Sequence, residues 1–290
     1  MAFLKAVYLS VVGLASGHVI RSDVAGRAAP ASHRDWCGTG HAPKGLRRES
    51  GRGGHFPGNT NQSSLVVDTY THVVASGTTV ADGYLRDETI SQQFAALGAT
   101  YAPTGISFNL AGVDHIINPL WATSVDPADH LVMKKALRKG SYKTLNLYYR
   151  LVVGVSATGD DLLGRCPFPE DAVTPGSDEF YDDGCMILSS TVPGGTMEDA
   201  NLGKTTTHEV GHRFGLFHTF HGGCLAGDEV SDTPAEDEPS FACAARDTCP
   251  DQPGLDPINN NMDYSPDSCV SQFTPGQRVR IFEVWQLTRN

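Results

Sequence analysis

Hydrophobic positions divide the chain into three differently patterned stretches. Residues 6–15 are mostly apolar, with Lys5 before them and Ser16 and Gly17 after, the arrangement of a secretory signal over residues 1–17. Ten such residues are too few to span a bilayer as a helix. Residues 18–63 are rich in Arg, Gly, His, Pro and Ser without a sustained period, so they read as a loosely structured pro-segment. From residue 64 the pattern becomes regular. Strand chemistry, β-branched and aromatic, marks 65–74, 106–110, 144–153 and 186–192. Helical spacing marks 87–97, a segment within 127–138, 202–214 and 274–287. Strand and helix alternate as in an α/β layer, predicting a twisted mixed sheet with helices over residues 64–214. After residue 215 the composition shifts to Gly, Asp and Pro and includes four cysteines, which predicts a small, irregular, disulfide-stapled subdomain over 215–290.

Charge and cysteine content narrow the function. A formal net charge of −11 in 290 residues repels phosphate backbones and anionic lipid, so no nucleic-acid or membrane partner is expected. The expected state is a secreted, extracellular monomer. Seven cysteines fit an oxidising compartment, and the odd count leaves one as a free thiol, an intermolecular partner or a metal ligand in a precursor. Asn61-Gln62-Ser63 is a glycosylation sequon, consistent with export.

The segment from His208 to His218 carries the chemistry, with histidines at 208, 212 and 218, Glu209 and Gly215. Residues four apart on a helix share a face, so His208 and His212 can present two imidazoles to one ion. Gly215 lets the chain leave the helix at positive φ, and His218 returns as a third ligand. Three protein ligands leave one position open, the arrangement of a catalytic zinc site. Glu209, beside the ligands, is suited to act as general base and then deliver the proton to a leaving amine. These residues predict one Zn2+ and hydrolysis of protein or peptide substrates. The alternative is a secreted binding protein that keeps the scaffold without turnover; retention of Glu209 argues against it.

The same string resembles the elongated metzincin motif, and 259–264, Asn-Asn-Asn-Met-Asp-Tyr, resembles the metzincin Met-turn with Met262 beneath the metal. More narrowly, the combination resembles the pappalysin (cytophagalysin) family and its fungal extracellular metalloproteases, from about residue 65 to 286. The resemblance implies a metzincin-like fold with the zinc cleft between the two subdomains. It implies that Tyr264 donates a hydrogen bond to the developing oxyanion, and that Asp267 lies in a specificity pocket preferring Arg or Lys after the scissile bond. The strand at 186–191 corresponds to the edge strand along which substrate lies. The resemblance further implies disulfides Cys224–Cys249 and Cys243–Cys269; Cys166 and Cys185 remain as a candidate third bridge, which the resemblance does not fix. Cys37, followed by Gly38 and Thr39, looks like a latency switch, and Lys44, Arg47, Arg48 and Arg52 beyond it are candidate maturation sites. Related enzymes hold calcium near the loop containing Asp228, Asp232 and Glu236, so Ca2+ is a second candidate ion.

Overall fold

In the computed structural model, residues 36–40, 46, 64–157 and 159–289 are described, all within one compact unit, His33–Asn290. The expected signal at 1–17 lies outside them, as do most of the pro-segment, the sequon and the basic residues 44, 47, 48 and 52.

The strands are β1 (Leu65–Ala75), β2 (Ile106–Ile117), β3 (Leu145–Arg150), β4 (Gly164–Arg165) and β5 (Cys185–Leu188). Among the described residues they form one sheet in the order β2-β1-β3-β5-β4, in which the first four are mutually parallel and β4 runs antiparallel to β5. The helices are α1 (Asp87–Tyr101), α2 (Pro119–Thr123), α3 (Pro127–Leu137), α4 (Asp178–Asp182), α5 (Lys204–Arg213), α6 (Gly223–Ala226) and α7 (Pro275–Thr288).

The sheet is covered on both faces because its central strands are apolar in both directions, the expected burial of parallel strands. Val67, Val73, Leu145, Leu147 and Tyr149 face one core with Ile90, Leu97 and Tyr101 of α1, Val210 of α5, and Ile281, Phe282 and Trp285 of α7. Val74, Tyr148 and Met186 point the other way, toward Met133 of α3. Successive side chains on a strand alternate faces, so Tyr148 and Tyr149 serve different cores. Helix ends follow local chemistry. Asp126 accepts the Ala128 N–H ahead of α3, and Thr274 forms a capping box with Gln277 at the start of α7.

One expectation is corrected: the strand at 186–191 ends at Leu188 and is not the sheet edge, because the two-residue β4 pairs outside it. Within residues 215–290, Ile281, Phe282 and Trp285 of α7 join the core cluster that also holds residues of α1 and α5, while the stretch between Gly215 and α7 has only the four-residue α6. That stretch is stapled by Cys224–Cys249 and Cys243–Cys269, while Cys166–Cys185 ties the end of β4 to the start of β5.

Candidate metal centre

Helix α5 is buried on every side, from Thr205 to Arg213, and a turn follows it directly. Gly215 makes that turn possible: its φ is +85°, and a Cβ there would stand 2.7 Å from Val284 of α7. Only glycine satisfies both conditions. The turn brings His218 back toward α5, so that the Nε2 atoms of His208, His212 and His218 lie 3.0–3.1 Å from one another.

The hydrogen bonds around two of the rings fix their tautomers. His208 Nδ1 is 2.8 Å from the Asn261 carbonyl, and His212 Nδ1 is 2.8 Å from the Leu216 carbonyl. A carbonyl can only accept, so each Nδ1 donates and each Nε2 presents a bare lone pair. Two lone pairs 3.1 Å apart repel unless a cation lies between them. Burial holds His208 down to about 4 and His212 and His218 well below the ordinary histidine value, keeping the rings neutral as metal ligands must be.

Cys37 completes the group. Its Sγ and the three imidazoles place four ligand atoms within 4.8 Å of one another, the only such His, Cys, Asp or Glu cluster among the described residues. Burial and the neighbouring Glu209 carboxylate push the Cys37 thiol up, and burial pushes Glu209 to about 8. A pocket that so penalises negative charge, yet gathers a thiol, a carboxylate and three neutral imidazoles, is matched to a divalent cation. Three nitrogens and one sulfur are a zinc donor set, so these residues fit that ion.

The leader residues lie in the cleft itself. The Leu163 N–H donates to the Trp36 carbonyl at 2.8 Å, and the Gly38 N–H donates to the Gly164 carbonyl at 2.9 Å, so Cys37 makes an isolated parallel bridge to Gly164 outside β4. Cys37 N–H donates to the Tyr264 hydroxyl at 3.1 Å. Thr39 Oγ1 accepts from Cys166 N–H at 3.2 Å and lies 3.3 Å from Glu209 Oε2. Trp36 stacks on Tyr264 and meets Phe241 edge to face. With Trp36 and Cys37 in its wall, the cavity beside His208 and Glu209 has a volume of about 40 Å³, room for one or two waters.

Met262 lies under α5, where a Cβ on Gly211 would meet its sulfur at 2.4 Å. Asp267 lines the cavity wall, and its Oδ2 accepts the Leu202 and Lys204 N–H groups at 2.7 and 3.2 Å, which anchors the start of α5. The acids of the downstream loop do not converge. Asp228 accepts the Val230 N–H, Asp232 accepts from Thr274 and Gly276 at the start of α7, and Glu236 accepts from Thr219. Thr39, Trp36 and Gly164 were not singled out from sequence. Only the position of Thr39 beside Cys37 and Gly38 hinted at a role, and a two-residue strand leaves no periodic signal.

A mostly parallel sheet over a histidine-bearing helix, with a methionine turn under the imidazoles, defines the metzincin class of metallopeptidases. Within that class the chain belongs to the pappalysin family, alongside the extracellular metalloproteases of fungi. The family described as pregnancy-associated plasma protein-A, Peptidase_M43, matches residues 192–286. An extracellular metalloprotease of Colletotrichum graminicola is 48% identical over 248 residues, covering 85% of each chain. One from Verticillium alfalfae is 46% identical over 284 residues, covering 94% of each. Among solved structures, mature mirolysin of Tannerella forsythia in complex with a cleaved peptide superposes with a TM-score of 0.60 at 22% identity, covering 79% of this chain and 99% of that one. That likeness concerns the fold alone.

Proposed function

We propose that this chain is a secreted, extracellular zinc endopeptidase held latent by its own leader. The observation that carries the reading is the convergence of Cys37 Sγ with the three imidazoles of His208, His212 and His218. His208, His212 and His218 would hold the ion, with Cys37 as the fourth ligand of the latent form. When bound, zinc supplies Lewis-acid polarisation of the peptide carbonyl and acidifies a water molecule.

The remaining steps belong to the chain. Removal of the leader frees the β4 edge, whose Leu163 N–H and Gly164 carbonyl then pair with an extended substrate backbone. Glu209 accepts the proton of the attacking water and returns it to the leaving amine; its upward shift by burial suits a group that must both take and give a proton near neutral pH. The Tyr264 hydroxyl, released from Cys37, donates to the oxyanion that forms on the former carbonyl. Asp267 has one oxygen committed to α5 and lies in the wall of the adjoining cavity, where it accepts from an Arg or Lys side chain following the scissile bond.

The test is casein cleavage by the secreted protein and by Glu209→Ala, each with a zinc chelator and with metal added back. Loss in the variant and chelator-sensitive, zinc-restored activity in the parent are expected. A processed, zinc-loaded parent that cleaves neither casein nor a peptide library would overturn the endopeptidase reading and favour a binding protein.

A further inference from the structure

Glu209 lies against the sheet edge in a way that depends on the absence of a side chain. A Cβ on Gly164 would stand 2.4 Å from both Glu209 Cγ and Oε1 and 2.6 Å from Cδ, distances that no native contact tolerates. Glu209 is 1% exposed, so an added methyl group would have to displace its side chain toward the cavity that it lines. The φ of Gly164 is not in the left-handed region, so glycine is not required there by backbone conformation. β4 itself gives no other reason for it, since glycine weakens a strand interior and commonly marks a close approach. The approaching group here is the carboxylate.

We infer that Gly164 is a positioning residue for the reaction: its bare Cα lets the Glu209 carboxylate lie flat on the strand that also pairs with substrate backbone. The inference rests on the reading of Glu209 as general base. Gly164 thus serves two directions at once. Its carbonyl points along the edge to the Gly38 N–H, and its missing side chain leaves room for the carboxylate above. The proton acceptor and the peptide backbone are therefore indexed to one residue, and a side chain at 164 rotates the carboxylate away while leaving the edge hydrogen bonds in place. Misplacing a catalytic group by about 1 Å costs on the order of 100-fold in rate.

A double-mutant cycle on the processed enzyme tests this, using Gly164→Ala, Glu209→Asp and the pair, with kcat and KM from a fluorogenic peptide and zinc content and Tm for each protein. Gly164→Ala is expected to lower kcat by about 10- to 100-fold with KM within about threefold and one zinc retained. In the Glu209→Asp background, where the shorter acid leaves clearance, the same alanine is expected to cost less than about threefold. Equal losses in both backgrounds, or an unchanged kcat in Gly164→Ala, would overturn the inference. If Gly164→Ala does not fold alone but folds and holds zinc when paired with Glu209→Asp, the steric conflict is upheld; if neither folds, it is overturned. Glu209→Gln is measured in parallel. Full activity there refutes the general-base reading itself, whatever alanine at 164 does.

Discussion

Asp183 offers the sharpest test of how the fold supports the candidate centre. Its carboxylate is 3% exposed and receives three guanidinium groups: Arg289 at 2.6 and 3.1 Å, Arg138 at 3.2 Å and Arg213 at 3.2 Å. Arg213 is the last residue of α5, while Arg138 and Arg289 directly follow α3 and α7, so one anion ties three helix C-termini together just ahead of β5. Burial drags Arg213 down only to about 9, so it stays charged at neutral pH. Asp183→Asn preserves shape and removes the charge, leaving three buried cations without their common partner. Removing one member of a buried ion pair costs about 3–5 kcal/mol, and about 2–4 °C of Tm is lost per kcal/mol in a chain of this size. The expected loss is therefore on the order of 10 °C, read by calorimetry on the secreted protein at pH 7 and a fixed scan rate. The pH dependence has a defined sign. Arg213 and Arg289 hold the Asp183 carboxyl well below its ordinary value against the opposing effect of burial. Its contribution is thus complete above the unfolded carboxyl pKa of about 4 and disappears only as pH falls toward the lower folded value. The gap between parent and variant should persist from pH 8 to about 4 and narrow below that. A loss of under about 3 °C at pH 7 would refute the reasoning and mean that water compensates the guanidiniums.

Cys37→Ala should leave the full-length protein cleaving casein at least about tenfold faster than the uncut parent, since the thiol no longer fills the fourth position; equal latency in both would remove Cys37 from that role. Burial raises Asp228 to about 7 and Glu236 to about 8, so the folded state binds more protons than the unfolded chain between about pH 4 and 8. At saturating zinc, the Tm of the parent relative to Asp228→Asn should therefore fall as pH rises from 5 to 8; a relative Tm that stays level or rises over this range contradicts the assignment. Asp267→Asn should reduce any preference for Arg or Lys after the scissile bond by about tenfold or more, judged by mapping cleavage sites in a peptide library. An unchanged preference would leave Asp267 with its anchoring of α5 alone.

Local chemistry in the sequence was enough to specify the longer elements, though not the short α2, α4 and α6. The β-branched and aromatic run after Leu65, the acids at the start of α1 and the capping box before α7 each fix an element by contacts within a few residues. The spacing of His208 and His212 likewise needs only the pitch of one helix, and Gly215 only the turn that follows it. Three features depended on distant parts of the chain. β4 is two residues long and exists because β5 and residues 36–38 lie on either side of it, so no period announces it and the edge of the sheet was assigned one strand too far in. Helix α7 follows the irregular stretch in sequence, yet its Ile281, Phe282 and Trp285 join the same core cluster as residues of α1 and α5, where they bury apolar surface. The close approach of Glu209 to Gly164, and of Cys37 to three histidines more than 170 residues away, is likewise a property of packing. Sequence spacing reports which groups can share a helix face; which groups meet across the cleft is decided only when the sheet edge, the leader and the zinc helix are folded against one another.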